Sequence, residues 1–158
     1  MDTLNTVFKL INPNCFFAKL DLKDAYYSIA IHPEERKNFR FKFQGTLFEY
    51  CALPQGYTEA PRLFTKLLKI PLAFLRSLGH INSGHLDDIY LQGDSFKECL
   101  NNIYESAKVL DNLGFTIHME KSIFIPQQKM EFLGFILDSQ QMLVLPNEKK
   151  MRENKRNM

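Results

Sequence analysis

Hydrophobic and polar positions follow two different periods along the chain, and these periods predict alternating strands and helices. Residues 15–22 form a mostly apolar run that is typical of a buried strand, and residues 24–29 predict a short helical turn. Residues 38–52 alternate apolar and polar side chains in the two-residue period of a half-buried hairpin. Residues 59–78 and 95–113 instead space apolar residues three and four positions apart, which predicts two helices.

Pro71 is expected to kink or split the first predicted helix, because an internal proline removes a backbone hydrogen bond. Each of the two predicted helices has one apolar side. The first apolar side consists of Leu63, Phe64, Leu67, Leu68, Phe74, Leu75 and Leu78. The second consists of Phe96, Leu100, Ile103, Ala107 and Leu110, after a cap at Asp94 or Ser95.

Shorter apolar runs predict the remaining strands. Two of them surround residues 87–88, and others lie at 115–118, 122–125 and 132–137, with Gly134 inside the last. This order of elements predicts an α+β fold in which two helices pack on one face of a largely antiparallel sheet. The other face is expected to be open for a ligand.

Composition narrows the class of protein. The chain has 158 residues, of which 45% are hydrophobic and 24% charged, as expected of one globular domain. No apolar run approaches the roughly 18 residues of a membrane helix, and the first residues lack the pattern of a signal peptide. Three cysteines far apart in sequence suit a reducing compartment. We therefore expect an intracellular protein, cytoplasmic or nuclear, with no membrane partner.

The net charge of +2 is unevenly distributed. The segment from Glu148 onward carries +3, which leaves −1 for the rest of the chain. Residues 146–158 are charged and lack an apolar period, so we expect a disordered tail there. A nucleic-acid binder usually has a basic footprint on its folded domain. Charge alone therefore gives no indication of a nucleic-acid partner.

Three aspartates stand in apolar surroundings. Asp21 ends a buried strand, and Asp87 and Asp88 lie between apolar segments. An unpaired charge in such a place is costly. In a regular strand Asp87 and Asp88 would point to opposite faces, whereas in a hairpin turn they can share the rim. The competing interpretation is that the pair marks an exposed turn and that Asp21 caps the following helix.

The partners available in sequence differ between these aspartates. Lys19 and Lys23 could neutralise Asp21, but no Lys or Arg lies within five positions of the Asp87–Asp88 pair, although His80 and His85 are near. A divalent cation is the natural remaining partner. Magnesium prefers one or two carboxylates plus substrate phosphates. Three carboxylates of this kind suit two-metal phosphoryl transfer.

Five segments, in this order, carry a recognisable pattern. They are residues 18–27 (AKLDLKDAYY), 53–64 (LPQGYTEAPRLF), 85–88 (HLDD), 113–122 (LGFTIHMEKS) and 132–136 (FLGFI). Together they resemble the palm motifs of retroelement reverse transcriptases, most of all those of DIRS and gypsy-like retrotransposons. The resemblance covers about residues 15–145, which would form the palm, with residues 1–14 a remnant of the fingers or a linker.

The resemblance implies roles at the metal and nucleotide. Asp21, Asp87 and Asp88 would be the catalytic and metal-binding carboxylates, holding two Mg²⁺ ions, with Mn²⁺ as a substitute. Tyr26 would stand under the sugar of the incoming nucleotide and exclude a 2′-hydroxyl. Gln55 and Gly56 would contact the nucleotide, with glycine permitting close backbone approach, and Lys121 would lie near its triphosphate. Without the resemblance, Tyr26 would be interpreted as a core aromatic and Lys121 as a solvated lysine.

The resemblance also implies primer contacts at His85, Phe132, Leu133 and Gly134, although the segment around Phe132 would equally suit ordinary sheet core. His85 departs from the family, which usually has tyrosine there; an imidazole is smaller and can carry charge. Residues 1–14 hold no counterpart of the basic fingers residues that clamp the triphosphate. We therefore expect a palm without these residues to bind its template weakly and to polymerise poorly, if at all.

Three functional hypotheses follow. The first is an RNA-directed DNA polymerase fragment that acts on a primer, an RNA or DNA template and a dNTP. The second is an inactive, degenerate retroelement fragment. The third is a co-opted module that binds nucleic acid or protein. An aspartic protease is disfavoured, because no Asp-Thr/Ser-Gly sequence surrounds any aspartate.

Overall fold

The structure is a computed structural model that describes residues 4–156. This part of the chain contains four α-helices: α1 (Leu4–Leu10), α2 (Ala60–Ser77), α3 (Phe96–Asn112) and α4 (Glu148–Arg156). It contains ten strands: β1 (Phe16–Lys23), β2 (Arg40–Phe43), β3 (Thr46–Glu49), β4 (Ile81–His85), β5 (Asp88–Gly93), β6 (Thr116–Ile117), β7 (Ile123–Gln127), β8 (Lys129–Phe132), β9 (Phe135–Asp138) and β10 (Leu143–Pro146). Two 3₁₀ helices, Ala25–Ser28 and Pro33–Phe39, lie between β1 and β2.

The central sheet is antiparallel throughout. Its order is β4-β5-β1, and both β6 and β7 pair with the free edge of β1. β1 is the middle strand because its run of apolar residues lets it be covered on both faces. This places the carboxyl end of β1 beside the hairpin turn between β4 and β5.

α2 and α3 pack on one face of this sheet, as the sequence predicts. Their core contacts are made with Ala18, Leu20 and Leu22 of β1 and with Ile89 and Leu91 of β5. The predicted α+β fold, a largely antiparallel sheet with two helices on one face, is therefore confirmed. Among the described residues, no helix is long and apolar enough to cross a membrane.

The helix faces differ in detail from the predicted ones. Leu67, Phe74, Leu78, Phe96 and Leu100 are exposed, although they were assigned to the apolar sides. The residues of α3 that face the sheet include smaller or polar ones, namely Cys99, Asn102 and Ser106. Asn102 fits there because its amide donates to the carbonyls of Ile81 and Gln92, at 2.8 and 2.9 Å.

Pro71 lies inside one continuous helix, so the predicted split of α2 does not occur. Its ring is buried together with the side chains of Leu68 and Leu72 on either side. Packing of both flanks against the sheet compensates for the missing backbone hydrogen bond, since tertiary contacts supply most helical stability in proteins.

The opposite face of the sheet is only partly open, which corrects the expectation of a free face. Val7 of α1, Met130 and Phe132 of β8 and Leu137 of β9 cover Phe17 and Tyr90 there. The remainder of this face, at the carboxyl end of β1, carries polar residues. α1 is therefore packed into the second core, in a segment predicted to be a remnant or linker.

The β2–β3 hairpin is exposed on both faces, whereas the sequence predicts half-burial. Its aromatic residues pack mainly on one another; the rings of Phe41 and Phe48 are stacked with centroids 5.6 Å apart. The alternation in sequence therefore identifies the hairpin correctly but not the depth at which it lies.

Two further corrections concern the end of the chain. Leu133 and Gly134 form a turn with φ values of 49° and 79°, so Gly134 joins β8 to β9 instead of lying inside one strand. Residues 148–156 form α4 where disorder was predicted. Asn147 caps this helix by accepting from the N–H of Lys150, whose ammonium lies 3.8 Å from the ring centroid of Phe135.

Candidate active site

The sheet register brings two carboxylates together. Along β1 the side chains of Leu20 and Leu22 face the helices, so Asp21 points to the opposite face. The antiparallel register places Asp21 directly opposite Asp88, the first residue of β5. Asp21 is only 8% exposed and Asp88 is half-buried. Like charges directly opposite each other are destabilising unless they are compensated.

Asp87 lies in the two-residue turn between β4 and β5. Leu86, the other residue of the turn, has a φ of 54°, a left-handed conformation that a leucine rarely adopts. Strain of this kind persists only where the surroundings enforce it. The N–H of Leu22 donates to the carbonyl of Asp87 at 2.8 Å, which ties the turn to the end of β1. The predicted hairpin turn therefore places Asp87 at the rim of the sheet.

The connection between β6 and β7 holds Asp21 by its backbone. The N–H of His118 donates to the carbonyl of Asp21 at 2.7 Å, and the N–H of Asp21 donates to the Oγ of Ser122 at 2.9 Å. Lys121 lies in this connection, next to Ser122. The same two contacts therefore fix Asp21 and bring an exposed lysine to the carboxylates.

A polar cavity of about 320 Å³ opens at this end of the sheet. Five of the residues proposed from the sequence line it, and they come from four separate segments. They are Asp21, Tyr26, Gln55, Asp87 and Lys121. Asp88 does not line the cavity, and neither does Gly56.

Tyr26 lies both against the core and beside the cavity. Its ring packs edge-to-face on Phe64, with centroids 5.8 Å apart, and it also lines the cavity. Burial, and then the negative charge of Asp87, raise the pKa of the Tyr26 hydroxyl. The phenol is therefore a neutral wall of the cavity that is supported from behind by the core.

Gln55 and Gly56 form a turn in the loop before α2. Gln55 is exposed and lines the cavity. Gly56 has a φ of 88°, and a Cβ at this position would meet no other atom of the chain within 4 Å. Within the chain, glycine is required by the left-handed backbone and not by close packing.

Asp88 has a cationic partner that the sequence did not reveal. The Nζ of Lys19 lies 3.8 Å from the Oδ1 of Asp88, and both side chains are mostly buried. From the sequence, Lys19 was a possible partner of Asp21, and a metal ion was expected to neutralise Asp87 and Asp88. Burial raises the pKa of Asp88; Lys19 lowers it, Asp87 and Asp21 raise it, and His85 lowers it.

The predicted primer contacts lie away from the cavity. Phe132 is 1% exposed and packs on Tyr90, with ring centroids 5.7 Å apart, so it belongs to the second core. Leu133 and Gly134 form the β8–β9 turn, and His85 ends β4. None of the four lines the cavity. Phe132 therefore lies in the core of the sheet, which is the alternative that the sequence left open for it.

Comparison with known proteins decides the family. The profile of the reverse transcriptase (RNA-dependent DNA polymerase) family matches residues 2–137. The chain belongs to this family. The resemblance to retroelement reverse transcriptases that the five segments indicated is confirmed.

Two curated relatives and one solved structure show how the chain compares with other reverse transcriptases. It is 32% identical over 116 residues to the Pro-Pol polyprotein of simian foamy virus type 1, covering 73% of the chain and 10% of that polyprotein. It is 29% identical over 122 residues to the Pol polyprotein from the transposon gypsy of Drosophila melanogaster, covering 77% of the chain and 12% of that polyprotein. A foamy viral protease-reverse transcriptase in complex with double-stranded DNA matches the whole chain with a TM-score of 0.84, at 21% identity, over 26% of its own length. The chain thus spans about a tenth of these polyproteins, and the solved structure shows a common fold.

The reverse transcriptase family implies a divalent metal, and the side chains at the cavity fit one in part. Within residues 4–156 no three His, Cys, Asp or Glu side chains form a group that could hold a metal by themselves. Mg²⁺ needs no such cage, since it is bound by one or two carboxylates together with substrate phosphates and water. Asp21 and Asp87 meet this requirement on one polar cavity, whereas Asp88 is engaged by Lys19.

From the sequence, Lys19 and Lys23 were possible partners of Asp21 only, and His118 had no predicted role at this candidate site. Lys19 shares the sheet face of Asp21, and the two-residue period of β1 could have indicated this. His118 and Lys23 also line the cavity. The contacts of His118 and Ser122 with Asp21 depend on the pairing of distant strands, for which their own sequence neighbourhood carries no signal.

Proposed function

We propose that this chain is the palm part of an RNA-directed DNA polymerase. The polymerase would transfer a deoxynucleotide from a dNTP to the 3′-hydroxyl of a primer paired with an RNA or DNA template. One observation carries the proposal: a single polar cavity is lined by Asp21, Asp87, Tyr26, Gln55 and Lys121. Family membership gives the class of chemistry, and the cavity gives the place where it would occur.

In this proposal Asp21 and Asp87 hold Mg²⁺, and Asp88 joins them at the edge of the site. Two such ions, when bound, supply charge neutralisation at the phosphates and activation of the primer hydroxyl. The hydrogen bonds from His118 and to Ser122 fix the backbone of Asp21 before any ligand arrives. Such preorganisation is where much of the catalytic advantage of polar sites arises.

The other cavity residues would position the nucleotide. The Tyr26 ring, held by Phe64, would lie under the sugar and leave no room for a 2′-hydroxyl. The Lys121 ammonium would bind the triphosphate and could return a proton to the leaving pyrophosphate. Gln55 and Gly56 would contact the nucleotide from the loop before α2, where Gly56 presents an unobstructed backbone.

The primer end would lie beyond the cavity, along the surface that carries His85 and the β8–β9 turn of Leu133 and Gly134. Phe132 would support that turn from the core without touching the primer itself. The foamy viral enzyme of similar fold was solved in complex with double-stranded DNA, which supports a nucleic-acid duplex as the partner here.

Primer extension tests the proposed function. The purified chain is given a labelled primer on an RNA or DNA template, dNTPs and either Mg²⁺ or Mn²⁺. We expect weak extension by the wild type and a further loss of at least about a hundredfold in Asp87→Asn, because the neutral amide removes a preorganised charge at the cavity. Asp111→Asn, at an exposed aspartate near the end of α3, is the matched control and should extend like the wild type.

If the chain alone does not extend the primer, the assay is repeated with a fingers segment from a related reverse transcriptase added in trans. Extension restored in this way, and abolished by Asp87→Asn, would support a palm that needs its fingers. No extension in either setting would overturn the proposed activity and favour an inactive retroelement fragment.

A further inference from the structure

Lys19 occupies a position on the sheet that no role in the proposed reaction explains. In the β1–β5 register it stands opposite Tyr90, two residues along β5 from Asp88, on the same face as Asp21. Its long side chain crosses this diagonal and places Nζ 3.8 Å from the Oδ1 of Asp88. Diagonal cross-strand neighbours lie within reach of such side chains. Both residues lie on paired strands in the middle of the sheet, so the backbone fixes the relative positions of their Cα atoms.

The ion pair divides the three carboxylates into two groups. Asp21 and Asp87 line the cavity, while Asp88 is turned toward Lys19 and does not line it. We propose that Lys19 is a built-in counter-ion, which neutralises Asp88 while no divalent cation is bound and competes with such a cation for this carboxylate. This inference rests on the proposed function, since it concerns the metal site of the same cavity.

The geometry of the pair suits an exchangeable counter-ion. A separation of 3.8 Å gives Coulomb attraction without the short contact of a strong hydrogen bond. A divalent cation attracts the same carboxylate with twice the charge, so it can displace the ammonium. The aliphatic stem of Lys19 would remain in place between the strands while its ammonium moved toward solvent.

Removing the charge of Lys19 should therefore have two opposite effects. Without metal, Asp88 would lie opposite Asp21 with no cation beside it, so the fold would lose stability. With metal, the site would lose a positive charge that opposes the incoming cation, so metal affinity would rise. A lysine that merely packed between the strands would lower stability without raising metal affinity.

The test measures Mn²⁺ binding to the full chain by the electron paramagnetic resonance signal of free Mn²⁺, together with thermal melting. We expect Lys19→Met to lower the metal-free melting temperature and to tighten Mn²⁺ binding by about three- to tenfold. Lys19→Arg keeps the charge and should bind Mn²⁺ like the wild type. Lys129→Met, at an exposed strand position on β8, is the matched control and should change neither quantity. In an Asp88→Asn background, Lys19→Met should no longer tighten binding.

The outcomes separate this inference from the proposed function. Wild-type binding that Asp87→Asn weakens, but that Lys19→Met leaves unchanged or weakens, would overturn the counter-ion role while leaving the metal site standing. Absence of any Asp87-dependent Mn²⁺ binding in the wild type would overturn the proposed metal site itself. If Lys19→Met does not fold, Lys19→Gln takes its place with the same expectation of tighter binding.

Discussion

The ring of Tyr26 faces two environments at once. One side packs on Phe64, in the core that joins α2 to the sheet, and the other borders the polar cavity beside Asp87. A side chain that is supported in this way cannot withdraw from the cavity without opening the core. Such a position suits a steric filter, because the filter works only if it does not yield.

We therefore expect Tyr26→Ala to reduce the preference for deoxyribonucleotides over ribonucleotides by about tenfold or more, the range that one missing steric contact gives. Tyr26→Phe keeps the ring and should keep the preference. Equilibrium binding of dATP and ATP in the presence of Mn²⁺ measures this without requiring polymerisation. Equal discrimination by Tyr26→Ala and the wild type would remove Tyr26 from the nucleotide site.

At the scale of elements, the periods in the sequence predict the existence and order of most strands and helices. They do so because burial of one face is a local property of a segment. They fail where contact with a distant element determines which residues are buried. On α3, for example, Cys99 and Ser106 are buried in place of larger residues, because that helix lies close against the sheet. For the same reason the partner of Asp88 could not be found among its sequence neighbours, since Lys19 comes from another strand.

The site shows the same division. The family resemblance implies a common site for Asp21, Asp87, Tyr26, Gln55 and Lys121, and all five line one cavity. The motifs alone do not reveal what holds them, because the hydrogen bonds at Asp21 join residues that are far apart in sequence. Nor do the motifs predict that Phe132 is buried while the adjoining turn of Leu133 and Gly134 lies nearer the surface.

The contact between β5 and α3 offers a prediction at this scale. Gly93 ends β5, and a Cβ there would collide with the backbone N and Cα of Cys99 at the start of α3. Because backbone cannot move aside as a flexible side chain can, Gly93→Ala should lower the free energy of unfolding by about 2–3 kcal/mol. Urea denaturation followed by circular dichroism measures the change.

Gly79→Ala serves as the control for this substitution. Gly79 has a φ of 90° and open space around its Cβ direction, so the cost there should be limited to backbone strain of about 1 kcal/mol. A smaller effect at Gly93 than at Gly79 would show that α3 can shift away from the sheet more easily than the packing suggests.

For the whole molecule, the net charge conceals its distribution. The chain outside the last residues carries −1, yet α2 has four basic residues and no acidic one. Arg62, Lys66, Lys69 and Arg76 follow one another at spacings of four, three and seven, which places them on one exposed side of the helix. The carboxylates gather at the cavity instead. A near-neutral total is therefore compatible with a locally basic surface and a locally acidic site.

The acidic site should also govern the stability of the molecule. Burial raises the pKa of Asp88, and the charges of Asp87 and Asp21 raise it further although Lys19 lowers it, so the metal-free fold bears an electrostatic cost. A cation that binds only the native state removes this cost.

At a Mg²⁺ concentration ten times its dissociation constant, stabilisation should be about 1.4 kcal/mol, or a rise in melting temperature of about 3–6 °C. Differential scanning calorimetry at constant ionic strength, with NaCl replacing MgCl₂, isolates this effect from general screening. The double variant Asp21→Asn/Asp87→Asn should melt at the same temperature with and without Mg²⁺, because both cavity carboxylates are gone. An unchanged wild-type melting temperature at millimolar Mg²⁺ would contradict a site that is ready for metal before substrate arrives.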